Sequence, residues 1–141
     1  MLVPTRDVTG MGTSPFFYFI GQGMIREVMV CIKVGCEVTD QGSYENLREA
    51  NALHVACLKG QLKLLELLLE TRQFPSVNTL DKELQSPLHH ACYKNHLEII
   101  KLLVNEQDAD LLSFNRAGWL PLHSTIEGGD LACFKFVVQA T

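Results

Sequence analysis

The chain has 141 residues, of which 47% are hydrophobic and 20% charged, and its formal net charge at pH 7 is −4. This length suits one domain, and the apolar share is large enough for a buried core, which excludes a disordered chain. The mildly acidic charge argues against dedicated nucleic-acid binding, and the longest near-continuous apolar run, Phe16–Ile20, is too short to span a bilayer.

The first residues and the cysteines favour an intracellular chain. Residues 1–13 contain one Arg and one Asp and no apolar stretch long enough for a secretory signal. The five cysteines are odd in number and widely spaced, and they form no C-x-x-C pair, so reduced thiols fit better than a disulfide framework. We therefore expect a soluble protein of the cytoplasm or nucleus, with residues 1–13 as an N-terminal arm.

From residue 14 onwards the chain repeats itself. Four similar segments begin at residues 14, 51, 86 and 120, so their starts are 37, 35 and 34 residues apart. Self-similarity at such a spacing is typical of stacked repeat proteins. The last three segments share a Leu-His pair, and six residues after each His stands Gly or Asn: Leu53-His54 with Gly60, Leu88-His89 with Asn95, and Leu122-His123 with Gly129.

Each segment predicts a short helix, a turn and a second helix. The first helix is expected to begin at Ser14-Pro15, Asn51, Ser86-Pro87 and Leu120-Pro121, because a small polar residue caps a helix and Pro needs no hydrogen bond in its first turn. Gly or Asn then accepts the left-handed conformation of a tight turn. The second helices (LKLLELLLE, LEIIKLLV and LACFKFVV) are apolar except for one narrow stripe, which is typical of helices packed between neighbours in a solenoid.

This pattern resembles the ankyrin repeat, which has the signature T-P-L-H-x-A and a length of about 33 residues. The match is strongest in SPLHHACYKNHLEIIKLLV, from Ser86, and covers roughly residues 10–141. The resemblance implies an all-α solenoid of helix-turn-helix units joined by β-hairpin-like fingers, with repeats near 14–40, 47–80, 82–112 and 115–141. The first repeat is degenerate, because Phe16-Phe17 replaces its Leu-His pair.

Two motifs, His54-x-x-Cys57 and His89-x-x-Cys92, raise the alternative of a tetrahedral zinc site. They lie one repeat apart, so each occupies the same place in successive units. The resemblance implies instead that each His hydrogen-bonds backbone in the neighbouring turn and that each Cys fills a small buried position. This register also accounts for both cysteines without an activated nucleophile, and no Gly-rich phosphate loop is present. We expect no enzyme, no cofactor and no metal.

The two ends of the repeat region are unusually apolar. The Phe16–Ile20 run fits a core-filling first helix, with a patch that touches a partner or a membrane as the alternative. The final helix, Leu131–Val138, is apolar where a terminal repeat should present a polar outer face. We expect either that the polypeptide continues with further repeats or that this helix meets another protein, self-association included.

The resemblance implies a protein-binding scaffold or adaptor that uses a concave groove between the fingers and the first helices. The family's contact positions fall, residue by residue, on Arg48, Leu58, Lys59, Lys82, Glu83, Gln85, Tyr93, Lys94, Arg116, Trp119 and Glu127. In the degenerate first repeat they fall on Met11, Thr13 and Gln22. The basic members would give the groove a locally basic floor, so we expect a protein partner with an acidic segment. The alternative is a regulatory or targeting domain of a larger protein, such as an enzyme or channel.

Overall fold

The structure, a computed structural model, describes residues 15–35, 38–39 and 41–141. This part of the chain forms eight helices and one two-stranded sheet, in the order α1 (Pro15–Gly21), α2 (Ile25–Lys33), β1 (Gly42–Tyr44), β2 (Leu47–Ala50), α3 (Ala52–Lys59), α4 (Leu62–Glu70), α5 (Pro87–Tyr93), α6 (Leu97–Glu106), α7 (Pro121–Gly128) and α8 (Leu131–Ala140). The prediction of a helical repeat solenoid is confirmed. The expected N-terminal arm, with Met11 and Thr13, and the cap at Ser14 lie outside the described residues.

The helices pair in chain order and stack as repeats. Within each repeat the first helix packs against the second, as α3 does against α4. The first helices also pack in a row, α1 against α3, α3 against α5 and α5 against α7, and α6 packs against α8. The core fills the space between these helices, and its largest fully buried aliphatic side chains include Leu53, Leu64, Leu65, Leu68, Leu88, Ile99, Ile100 and Leu103.

The first helices of the middle repeats begin as the sequence predicts. The side chain of Asn51 accepts a hydrogen bond from the amide of His54, and the side chain of Ser86 accepts one from the amide of His89. Each cap satisfies one of the amides that a helix start leaves without an intrahelical partner. At α7 the N-cap position is Leu120, whose side chain has no cap acceptor; the helix begins with Pro121, and the amide of Leu120 donates to Nδ1 of His123.

The turns after the first helices also follow the prediction. Gly60, Asn95 and Gly129 all have left-handed backbone, with φ angles of 71°, 63° and 81°. Just before the last of these turns, Gly128 lies so close to α5 that a Cβ atom would stand 2.6 Å from the carbonyl oxygen of Tyr93. Neighbouring first helices therefore meet backbone to backbone at this end.

The three later fingers are not identical in form. The second finger (residues 45–50) continues a hairpin in which Gly42 faces Ala50 and Tyr44 faces Leu47. The third finger (81–85) and the fourth (115–119) are tight turns closed by backbone hydrogen bonds, from Asp81 to Gln85 and from Asn115 to Trp119, each 3.0 Å long. All three precede a first helix, as the resemblance implies.

The apolar ends of the repeat region differ in burial. Phe16, Phe17 and Ile20 are buried, which confirms the core interpretation of that run. On the last repeat, Leu131 and Val138 of α8 are 64% and 44% exposed. Among the described residues, no helix is both long and apolar enough to cross a bilayer.

Candidate functional site

In each of the two middle repeats, one buried histidine forms a hydrogen bond with the finger of the next repeat. The Nδ1 atom of His54 accepts a hydrogen bond from the amide of Asn51 (3.1 Å), so Nε2 carries the proton and donates it to the carbonyl oxygen of Gln85 at 2.9 Å. Burial, and second the neighbouring His90, lower the pKa of His54 to about 4. The ring is therefore neutral at physiological pH and acts as a fixed brace.

His89 makes the same pair of bonds one repeat later. It accepts from the amide of Ser86 at 3.1 Å and donates to the carbonyl oxygen of Trp119 at 3.1 Å. The predicted hydrogen-bonded role of these two histidines is confirmed, and it uses the ring nitrogens that a zinc ion would need. Within the described ranges, no group of three or more His, Cys, Asp or Glu side chains could hold a metal ion.

The fingers are also joined to one another. The amide of Lys82 donates to the carbonyl oxygen of Arg48 (2.9 Å), and the amide of Arg116 donates to that of Glu83 (3.0 Å). The Nε atom of Arg116 donates to the carbonyl oxygen of Lys82 at 2.7 Å. These hydrogen bonds join the three fingers into one row. The side chains of all four residues are exposed to solvent along it.

The groove between fingers and first helices contains two adjoining depressions. The first, which we call the basic depression, has a volume of about 520 Å³ and is lined by Glu45, Asn46, Leu47, Leu58, Lys59, Gln85, His90, Tyr93, Lys94 and His96. It holds four of the predicted contact residues that lie at the ends of α3 and α5. Lys59 and Lys94 lie at those two helix ends, and their side chains border the depression.

The second depression, which we call the aromatic depression, has a volume of about 270 Å³. It is lined by Glu83, Gln85, His90, Tyr93, Asn115, Arg116, Ala117, Trp119, Ser124 and Glu127. Gln85, His90 and Tyr93 line both depressions, so they form the ridge between them. Together the two depressions bring nine of the eleven predicted contacts together, whereas Arg48 and Lys82 lie outside their lining on the finger row.

The floor of the groove holds a hydrogen-bonded His–Asp pair that the sequence reasoning missed. The Nε2 atom of His90 lies 2.9 Å from Oδ2 of Asp81, and both residues are buried. Burial alone would raise the pKa of Asp81, but hydrogen bonds from His90 and the amide of Gln85 outweigh it and lower the pKa. The available signal was the His89-His90 doublet, since the second His stands where the neighbouring repeats have Val55 and Ser124.

Acidic neighbours offset two of the five cations that were predicted to make the groove locally basic. Lys59 lies 2.8 Å from Glu45, and this hydrogen bond, the largest influence on it, raises the pKa of Lys59. Arg116 lies 4.0 Å from Glu83. Among the described residues, Arg48, Lys82 and Lys94 form no ion pair, so these are the predicted contact residues whose positive charge is not balanced by an acidic neighbour.

Comparison with known protein families identifies the repeats. A family model described as ankyrin repeats, in three copies, matches residues 53–141, which is more than half of the chain. The matched region begins in α3 and includes both depressions except for their lining from residues 45–47. No curated protein matches the chain.

Proposed function

Because this chain belongs to the ankyrin-repeat family, whose members are generally protein–protein interaction modules, we propose that it binds a partner protein in the groove between its fingers and first helices. The observation that carries this proposal is the grouping of nine predicted contact residues around the two adjoining depressions. Ankyrin repeats are typically non-enzymatic, and the proposed role is a scaffold or adaptor that changes no covalent bond.

The groove combines exposed aromatic side chains with a rigid frame. Tyr93 and Trp119 are 45% and 38% exposed, and Tyr, Trp and Arg are the types that dominate binding energy at protein interfaces. The backbone that presents Trp119 is held by His89, and the finger that presents Gln85 is held by His54. A partner therefore loses less free energy to ordering this surface than it would on a mobile loop.

The charges restrict where a partner's acidic groups would bind. A carboxylate at the basic depression would meet Lys94, which forms no ion pair with any described residue. Lys82 on the adjacent finger would extend the same contact. Lys59 and Arg116 would attract a carboxylate less strongly, because Glu45 and Glu83 already lie beside them. We propose that the acidic part of the partner contacts this limited area.

The experiment is affinity capture from a lysate of the source cell, with the bound proteins identified by mass spectrometry. A groove variant (Lys82→Glu, Tyr93→Ala, Trp119→Ala) is compared with the unmodified chain. A matched control (Lys63→Glu, Leu112→Ala) changes exposed positions away from the groove. Circular dichroism verifies that all three are folded.

We expect a protein that the unmodified chain and the control capture and that the groove variant loses. Direct titration of that protein should then show affinity reduced at least tenfold by the groove changes, since hot-spot truncations cost about 2 kcal/mol or more. Equal capture by all three chains would contradict the proposal and would assign binding to another surface.

A further inference from the structure

The two walls of the aromatic depression are contributed by different repeats. Tyr93 is the last residue of α5, and Trp119 lies in the fourth finger, where its carbonyl oxygen is fixed by His89. Both rings are partly exposed and line a volume of about 270 Å³. Exposed aromatic faces attract cations through their negative electrostatic potential, and a tryptophan face does so most strongly.

The remaining charges of this depression are mostly negative. Glu83 and Glu127 line it with exposed carboxylates, and Arg116 is its one basic lining residue among those described. The guanidinium of Arg116 is already engaged, because it lies 4.0 Å from Glu83 and its Nε donates to the carbonyl oxygen of Lys82. The buried carboxylate of Asp81 lies behind His90 and adds to the negative potential.

The ridge contributes a hydrogen-bond acceptor. In the neutral tautomer whose Nε2–H donates to the carboxylate of Asp81, Nδ1 is the hydrogen-bond acceptor of the His90 ring. No described residue forms a hydrogen bond with this Nδ1 atom, and the ring lines the depression. An N–H group of a ligand would find this acceptor between the two aromatic walls.

From this juxtaposition we propose that the aromatic depression binds a basic side chain, arginine or lysine, of the partner. The proposal rests on the proposed function, because it names the chemistry of one contact in the same groove. A guanidinium or ammonium group would stack on Trp119 and pair with Glu127, while a carboxylate would be repelled. The ring of Tyr93 borders this position, but Nζ of Lys94 already lies 5.4 Å from its centroid. The partner segment is therefore of mixed charge, with its basic group at the fourth finger and its acidic group near Lys94.

The test uses small probes, and the protein itself supplies the reporter. Trp119 is the chain's single tryptophan, so its indole N–H gives one resonance in a spectrum of the ¹⁵N-labelled protein. N-acetyl-arginine amide and N-acetyl-lysine amide are titrated to millimolar concentrations. N-acetyl-norleucine amide controls for shape without charge, and N-acetyl-glutamate amide controls for the opposite charge.

We expect saturable shifts of the Trp119 indole resonance with the two cationic probes and not with the other two. Glu127→Gln should weaken binding of the arginine probe about threefold, the effect expected for loss of an exposed charge pair. Glu98→Gln, which also removes one exposed carboxylate but lies on α6, should leave it unchanged. Both changes are conservative and at the surface, so the fold is retained.

Equal responses to norleucine and arginine, a stronger response to glutamate, or no saturable shift with any probe would each overturn the inference. Its failure is distinguishable from that of the proposed function. If the groove variant loses a captured partner while no cationic probe binds, only the inference fails. If the arginine probe binds and Glu127→Gln weakens it while capture is independent of the groove, the proposed function fails.

Discussion

The Nε2 atom of His54 lies 2.9 Å from the carbonyl oxygen of Gln85, a residue 31 positions further along the chain. Because Nδ1 of the same ring accepts the amide of Asn51, one side chain fixes both the start of its own helix and the finger of the next repeat. His89 repeats this arrangement with Trp119, whereas the exposed ring of His123 makes only the first of the two bonds, with the amide of Leu120.

The three equivalent histidines should therefore differ in their contribution to stability. We expect His54→Ala and His89→Ala each to lower the free energy of unfolding by about 2–4 kcal/mol, because each leaves a cavity and unpaired buried backbone groups. His123→Ala should cost about 1 kcal/mol or less, since its ring is exposed. Urea unfolding followed by circular dichroism measures all three, and equal losses would contradict the bracing role.

Stability should fall on mild acidification. Burial lowers the pKa of His54 from 6.5 to about 4, so the unfolded chain binds a proton there before the folded chain does. This contribution is complete above pH 6.5 and is lost as the pH falls from 6.5 towards 4, by about 2 kcal/mol between pH 7.5 and 5. Asp81, with its lowered pKa, adds a further loss below its ordinary value of 3.8.

Urea midpoints measured from pH 7.5 to 4.5 check this pH dependence. A His54→Asn variant should show a flatter profile over that range, while His123→Asn, changed at an exposed position, should keep the slope of the unmodified chain. A pH-independent midpoint in the unmodified chain would show that His54 is not held neutral by burial.

One finger position offers a stabilising substitution. Glu49, Leu84 and Gly118 occupy the same place in the second, third and fourth fingers, with φ angles of 55°, 58° and 79°. A left-handed conformation costs a non-glycine residue about 1–2 kcal/mol. Leu84→Gly should therefore raise the free energy of unfolding by about 1 kcal/mol, after allowing for the greater freedom of Gly in the unfolded chain.

The reverse change provides the control at the equivalent position. Gly118→Ala should lower the free energy of unfolding by about 1 kcal/mol, and the effect is conformational because nothing lies within 4 Å of the added Cβ atom. If both substitutions left the thermal midpoint unchanged, the left-handed backbone would carry no measurable strain.

Alanine substitutions at two adjacent glycines at the end of α7 should separate a steric effect on stability from a conformational one. In Gly128→Ala the new Cβ would stand 2.6 Å from the carbonyl oxygen of Tyr93 and 2.9 Å from that of Cys92, so α7 must move away from α5. We expect a loss of about 2–3 kcal/mol, as in overpacked cores. Gly129→Ala has open space at φ 81° and should cost about 1 kcal/mol.

The same pair of variants bears on the site, since Gly128 sets the distance between the repeats that carry Tyr93 and Glu127. Guanidinium chloride titrations give the two free energies. An equal cost for Gly128→Ala and Gly129→Ala would show that the helices can separate freely at this point.

Much of the fold could be predicted because its signals are local. The caps at Asn51 and Ser86, the turns at Gly60 and Gly129, and the apolar faces of the second helices depend on residues within one or two turns of each other. The braces of His54 and His89 join different repeats, and they could be anticipated only because the family pattern fixes their register.

The parts that could not be predicted depend on contacts across repeats or on backbone without a sequence signal. The ion pair of Lys59 with Glu45 could not be predicted, because Glu45 comes from the preceding hairpin, which the repeat pattern does not describe. The pairing of His90 with Asp81 needs the third finger folded against α5. Leu84 has left-handed backbone because of its place in the finger, and a leucine in a sequence does not predict that conformation.

In both braces, the histidine precedes in the chain the carbonyl oxygen to which it donates. Each donates to a carbonyl oxygen that is synthesised 30 or 31 residues later. During translation the donor of each brace is therefore synthesised before its acceptor. Contacts between adjacent repeats need little loop closure, so each new unit can be added to a formed template. Each brace needs only the next finger, so it can form before any later repeat has been synthesised.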